Sequence, residues 1–139
     1  MPALLDTSVL VRYLTQSPPD QGAEASGLLD GAEDLLVPTV ALAETAFALG
    51  HFYGVGRADT VDLLVALLGK GNVGMLDVTT ELAVEALMLC RPSGRVSFAD
   101  ALEWAVARHS GWTSVYTFDR SFPSQGIDRR VLGRRNQTR

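Results

Sequence analysis

Short apolar runs alternate with longer stretches of helical periodicity along this chain, and that alternation constrains its fold more than any other feature. Ala3–Leu5, Leu35–Val37 and Val73–Val78 each suit a buried strand, and Thr113–Phe118 is rich in β-branched and aromatic residues. Between them lie helical patterns. Thr7 and Ser8 are placed to cap a helix on which Val9, Leu10, Tyr13 and Leu14 share a face, and Ser17-Pro18-Pro19-Asp20 ends it. A second helix is expected from about Gln21 to Gly31, and a third from Thr39 to about Tyr53 with Val40, Ala43, Phe47 and Gly50 on one stripe. A fourth begins at Asp59 or Thr60, with Val61, Leu64, Val65 and Leu68 at helical spacing. Two more follow, from Thr79 or Thr80 to Leu89 and from Ser97 to about His109, and a last short strand is expected around Ile127–Leu132. Strands that alternate with helices form a parallel sheet covered on both faces. The expected fold is therefore α/β, a three-layer sandwich whose central parallel sheet has four or five strands. No repeat or linker divides the chain; residues 1–133 are expected to form one domain and 134–139 an Arg-rich tail.

Four acidic residues stand where those strands and helices meet: Asp6, Glu44, Asp100 and Asp119. Each lies in an apolar setting, and a buried carboxylate is costly without a compensating charge. Few basic residues are near them in sequence, so a divalent cation is the natural compensator. In open α/β sheets, sites form at the carboxyl ends of strands. Asp6 and Asp119 each end a strand, Glu44 lies in the second turn of a helix leaving one, and Asp100 is in the first turn of its helix. Each also has a purely structural reading: a helix cap for Asp6, a solvent-facing helix position for Glu44, a capping box with Ser97 for Asp100, and an Asx-turn for Asp119. Gathered together, however, like charges oppose folding unless a cation joins them. Carboxylate oxygens suit Mg²⁺ or Mn²⁺, whereas zinc favours His or Cys. His51 and His109 lack metal-pair spacing and are read as surface or packing residues. Carboxylate-held Mg²⁺ keeps waters and usually acts on phosphates.

The charge balance agrees. The formal net charge is −4, from 16 acids and 12 bases, so setting the four acids aside leaves the remainder neutral. An acidic chain lacks general affinity for nucleic acid. Its bases are nevertheless uneven, with Arg129, Arg130, Arg134, Arg135 and Arg139 crowded at the end. Cys90 is alone, which excludes an internal disulfide and suits a reducing cytoplasm. The first residues do not read as a secretory leader, and Leu35–Gly50, broken by Pro38 and Glu44, falls short of a membrane span.

The phrases Leu5-Asp6-Thr7-Ser8, Pro38-Thr39-Val40 with Glu44 downstream, Phe98-Ala99-Asp100-Ala101 and Thr117-Phe118-Asp119-Arg120-Ser121-Phe122 resemble, in order and spacing, the PIN-domain nucleases. In particular they resemble the VapC-type toxins of bacterial toxin–antitoxin modules. The resemblance covers nearly the whole chain. It implies a central parallel sheet of about five strands, Mg²⁺- or Mn²⁺-dependent cleavage of RNA, a cognate antitoxin protein as partner, and homodimerisation. Residue by residue, Asp6, Glu44, Asp100 and Asp119 match the four acidic positions. Ser8 and Thr117 match supporting polar ones. On this reading Asp6 and Asp100 are the primary metal ligands, Glu44 and Asp119 complete the site, and Ser8 and Thr117 orient ligands or water. Glu103, Arg12 and Arg120 flank the site, and Trp104, Trp112, Phe47, Phe52 and Tyr53 are expected in the core or an interface.

The different-class alternative is a catalytically silent PIN-like module that binds RNA or protein. Two phosphotransfer patterns fit poorly. Ser8 stands where a haloacid-dehalogenase site needs a second Asp, and Lys70, the only lysine, is too early for a receiver domain.

Overall fold

In the structure, a computed structural model describing residues 2–111 and 114–133, three short strands form a parallel sheet in chain order. Strand β1 is Ala3–Leu4, β2 is Leu35–Val37 and β3 is Val73–Met75. Ala3 pairs with Leu35, and Val37 with Met75; the Leu5 N–H extends the first ladder to the Leu36 carbonyl at 2.9 Å. Helices α1 (Thr7–Thr15) and α2 (Pro19–Leu29) connect β1 to β2, and α3 (Thr39–Tyr53) and α4 (Arg57–Leu68) connect β2 to β3. Then come α5 (Thr80–Cys90), α6 (Phe98–Ser110), and a separate parallel pair, β4 (Ser114–Thr117) with β5 (Asp128–Val131). Where the sheet is central the strands are buried on one face, at Leu35, Val37, Val73 and Met75, and half-buried on the other, at Leu36 and Gly74. That burial explains why they read as continuous apolar runs.

The expected α/β class and parallel sheet are present, but the main sheet has three strands, not four or five. Among the described residues no ladder joins β4 to β1. Strand β1 is only two residues long before the chain turns into α1, which leaves little backbone for a further ladder. Strand β3 likewise ends at Met75, short of the expected Val78, because Asp77 is drawn to the start of α3. Trp112, Thr113 and the Arg-rich tail lie outside the described residues.

Local chemistry accounts for the helix boundaries. Asp6, rather than Thr7 or Ser8, caps α1: its carboxylate accepts the Ser8 N–H at 3.1 Å. Helix α2 starts two residues before the expected Gln21, with Pro19 in its first turn, where a missing N–H costs nothing. Gly22 lets α2 approach the end of α1; a Cβ there would lie 2.6 Å from the Gln16 Cα. Helix α4 begins at Arg57, two residues before the expected start. The caps at Thr79 and Ser97 fall where expected.

One face was inverted by the sequence. On α3 the buried residues are Ala41, Leu42, Thr45, Ala46 and Leu49. The stripe through Val40, Phe47 and Gly50 faces out, with Val40 66% and Phe47 60% exposed. Helix α3 is apolar nearly all round, so periodicity alone does not select which side packs. Among the described residues no helix is long and apolar enough to cross a membrane.

Candidate active site

Parallel strands end at one edge, so Asp6, the N-terminus of α3 and Asp77 share the carboxyl edge of the three-stranded sheet. Asp6 accepts both the backbone N–H of Ser8 and, at 2.6 Å, its hydroxyl. These bonds, the hydroxyl first, favour the ionised carboxylate and hold Asp6 below its ordinary pKa; the Arg12 charge adds to them. Glu44 comes to the same place from the second turn of α3 and accepts the Thr7 hydroxyl at 2.8 Å. Asp6, Thr7, Ser8, Arg12 and Glu44 line one open cavity of about 1010 Å³, which continues past Ala99 to Phe52 and Tyr53.

Asp100 and Asp119 form the second group. Ser97 caps α6 by accepting the Asp100 N–H at 3.0 Å, which places the Asp100 carboxyl at the start of that helix. Asp119 follows β4 by two residues. Its N–H bonds to the Thr117 hydroxyl at 2.9 Å, and its carboxylate accepts the Ser121 N–H at 2.8 Å, an Asx-turn. The two carboxyls meet. Burial comes first, then the hydrogen bond and negative charge of Asp119, with Glu103 adding to them, and together they push Asp100 up to about 6. Two carboxyls bond to each other only when one carries a proton. Near neutral pH this pair is therefore a charge conflict that a cation would relieve.

Trp104 helps to set that contact. Its buried indole N–H donates to the Gln125 carbonyl at 2.8 Å and ties α6 to the β4–β5 connection. Arg57 does the same for the start of α6: its guanidinium donates to the carbonyls of Cys90 and Val96 and lies over the Phe98 ring, 4.7 Å from its centroid. Cys90 is no nucleophile, since burial pushes its thiol up to about 11.

The sequence-derived residues thus divide into two sets. Asp6, Ser8 and Glu44 share the cavity at the sheet edge; Asp100, Asp119 and Thr117 meet at β4 and α6. Ala99, next to Asp100, lies in the wall of the first cavity, where the two sets approach each other. Among the described residues no three His, Cys, Asp or Glu side chains are gathered tightly enough to hold one ion by themselves. The donors are nevertheless all oxygen, and Asp100 and Asp119 put two carboxyls side by side, so their chemistry fits a hard divalent ion.

Asp6, Asp119 and Glu44 also fulfil their structural readings, as cap, Asx-turn and exposed helix residue, and Asp100 gives its N–H to the Ser97 cap. Two contributors were missed. Thr7, read only as a cap, holds Glu44. Asp77 accepts the N–H of Thr39 at 3.0 Å, and the Thr39 hydroxyl also, supplying the cap that Pro38 lacks. Its position directly after β3 was the available signal.

The fold is α/β with acids at the carboxyl ends of parallel strands, the frame of a nuclease-like domain. A family model for the PIN domain matches residues 3–127, and the chain belongs to the PIN domain family. PIN domains are generally nucleases and typically use divalent metal ions. No curated protein matches the chain closely enough to serve as a named relative.

Proposed function

We propose that this protein is a Mg²⁺- or Mn²⁺-dependent endoribonuclease and the toxin of a cytoplasmic toxin–antitoxin pair. The observation that carries the nuclease reading is the meeting of Asp100 with Asp119, which brings two carboxyls together. Asp6 and Asp100 would hold the ion, with Glu44 and Asp119 completing the site. A divalent cation bound there supplies charge compensation and activation of the attacking water. The chain's own residues do the rest. The Ser8 hydroxyl fixes the Asp6 carboxylate, Thr7 fixes Glu44, and Thr117 with the Ser121 N–H fixes the turn that carries Asp119. Arg12, whose guanidinium also donates to the Ser8 carbonyl at 3.2 Å, lines the cavity and is placed to meet a phosphate.

The partner reading, a cognate antitoxin and a second copy of the chain, is supported by the outward face of α3. Phe47 stacks on His51 at 4.9 Å, Phe52 meets both edge-on, and Phe52 is 71% exposed. Such a preformed apolar patch beside a polar cavity suits a protein interface. Trp104, by contrast, is core.

One observation favours the second reading, a catalytically silent RNA- or protein-binding module: the Asp6 and Asp119 carboxylates are each already engaged by a neighbouring backbone N–H. Incubating the protein with tRNA and ribosomal RNA fragments in Mn²⁺, with and without chelator, separates the two. Chelator-sensitive cleavage supports the nuclease; binding without cleavage supports the module.

A further inference from the structure

Three bases of this protein are matched by acids among the described residues. Lys70 pairs with Asp30 at 2.7 Å, Arg91 with Asp62 at 2.9 Å and Arg130 with Asp128 at 2.8 Å. Arg95, on the connection between α5 and α6, differs: among the described residues its guanidinium has no acidic partner. It lines a cleft of about 390 Å³ together with Arg120 and Arg129. Ser93, Ser121 and Ser124 add hydroxyls to the lining, and among the described residues no carboxylate is part of it. In a protein of net charge −4, a cleft with three guanidiniums and no acid is an exception.

The cleft is also anchored to the acid pair. One nitrogen of Arg129 donates to the carbonyls of Arg120 and Phe122, both at 2.7 Å, fixing the loop that follows Asp119. Ser121, in the cleft wall, gives its N–H to the Asp119 carboxylate at 2.8 Å. Guanidinium forks beside hydroxyls match phosphate geometry, and such contacts set the register of a nucleic acid without reading its sequence.

We infer that this cleft is a backbone-phosphate subsite for single-stranded RNA: Arg95, Arg120 and Arg129 grip a phosphate that flanks the scissile one and lead the strand to Asp119. The inference rests on the ribonuclease reading and extends it from the reacting centre to the track of the substrate.

Binding of a twelve-residue oligouridylate to the full chain, followed by fluorescence anisotropy in chelator over a salt series, tests it without turnover. Arg95→Gln is expected to weaken binding several-fold at low salt and to flatten the slope of log affinity against log salt by about 0.7, the release expected for one phosphate contact on a single strand. Arg95→Lys should keep the slope and lose part of the affinity, because it keeps the charge without the fork. The subsite is overturned if the native chain does not bind the oligonucleotide, or if Arg95→Gln leaves both affinity and slope unchanged. It is equally overturned if oligoglutamate of matching charge competes as well as the RNA, which would make the cleft a dock for an acidic protein segment. A parallel cleavage assay with Mn²⁺ keeps the two readings distinct. Binding that depends on Arg95 without any cleavage refutes the nuclease and leaves the subsite standing. Cleavage together with an inert Arg95→Gln refutes the subsite alone.

Discussion

The two acidic groups of this protein use the same chemistry in opposite ways. At the edge of the three-stranded sheet, Asp6 and Glu44 are each met by a hydroxyl, from Ser8 and Thr7, and Asp6 is held in its charged form. At the start of α6, Asp100 is met by another carboxyl, and the charged form is disfavoured. The first group is a settled anion. The second is poised, because its repulsion is relieved only by a proton or a cation. On the proposed function, the comparison puts the demand for charge compensation at the Asp100–Asp119 contact rather than at the sheet edge.

Replacing Asp100 by Asn breaks the comparison most severely. Cleavage should fall about 10²- to 10⁴-fold, the range for losing a group that positions or activates the attacking water. Without divalent ions the same variant should be the more stable at pH 7. The raised carboxyl favours the folded state while protonated, below its ordinary pKa of 3.8, and that advantage is lost as pH rises towards about 6. Asn escapes the loss, so the gap should open between pH 4 and 6 and reach ~1 kcal/mol after solvent screening, measured by melts across pH.

Cation binding sharpens the comparison next. At about a hundred times its dissociation constant, Mn²⁺ should stabilise the native chain by roughly 2.7 kcal/mol. Asp100→Asn should remove most of that gain. If Asp6→Asn leaves it whole, the two groups do not share an ion, and the sheet edge serves structure alone.

Trp104→Phe tests what holds Asp119 against Asp100. It keeps the buried ring but deletes the bond to the Gln125 carbonyl, at a cost of about 1–3 kcal/mol in denaturant unfolding. With the loop loosened, the pKa of Asp100, followed by NMR, should move down towards its ordinary value.

The smallest effect is expected from Ser8→Ala. Cleavage should drop by roughly tenfold, as when a bond that orients a ligand is lost. Asp6 should also titrate higher. Its lowered pKa contributes stability that is lost as pH falls through the folded value, so the variant should unfold earlier in an acid titration.

Much of this architecture is legible in the residues themselves. The runs Leu35–Val37 and Val73–Met75 are apolar because one face is buried and the other half-buried, and the capping residues Thr79 and Ser97 mark their helices. The width of the sheet was not legible, since the length of β1 depends on where Asp6 turns the chain into α1. Nor was the packed side of α3, where apolar residues lie on every face. Asp77 reaches Thr39 across 38 residues, a partnership that no local pattern encodes. The meeting of Asp100 with Asp119 is similar. A whole helix separates Asp100 from the strand before it, so the strand-edge rule placed Asp100 with the other acids less firmly than it placed Asp6 and Asp119.

Cleavage of RNA fragments by the native chain and by Asp100→Asn, each in Mn²⁺ and in chelator, tests the central claim most directly. The account predicts cleavage by the native chain in Mn²⁺ alone, with that of the variant in Mn²⁺ at least about a hundredfold lower. Equal cleavage by both proteins, or cleavage that persists in chelator, would contradict it.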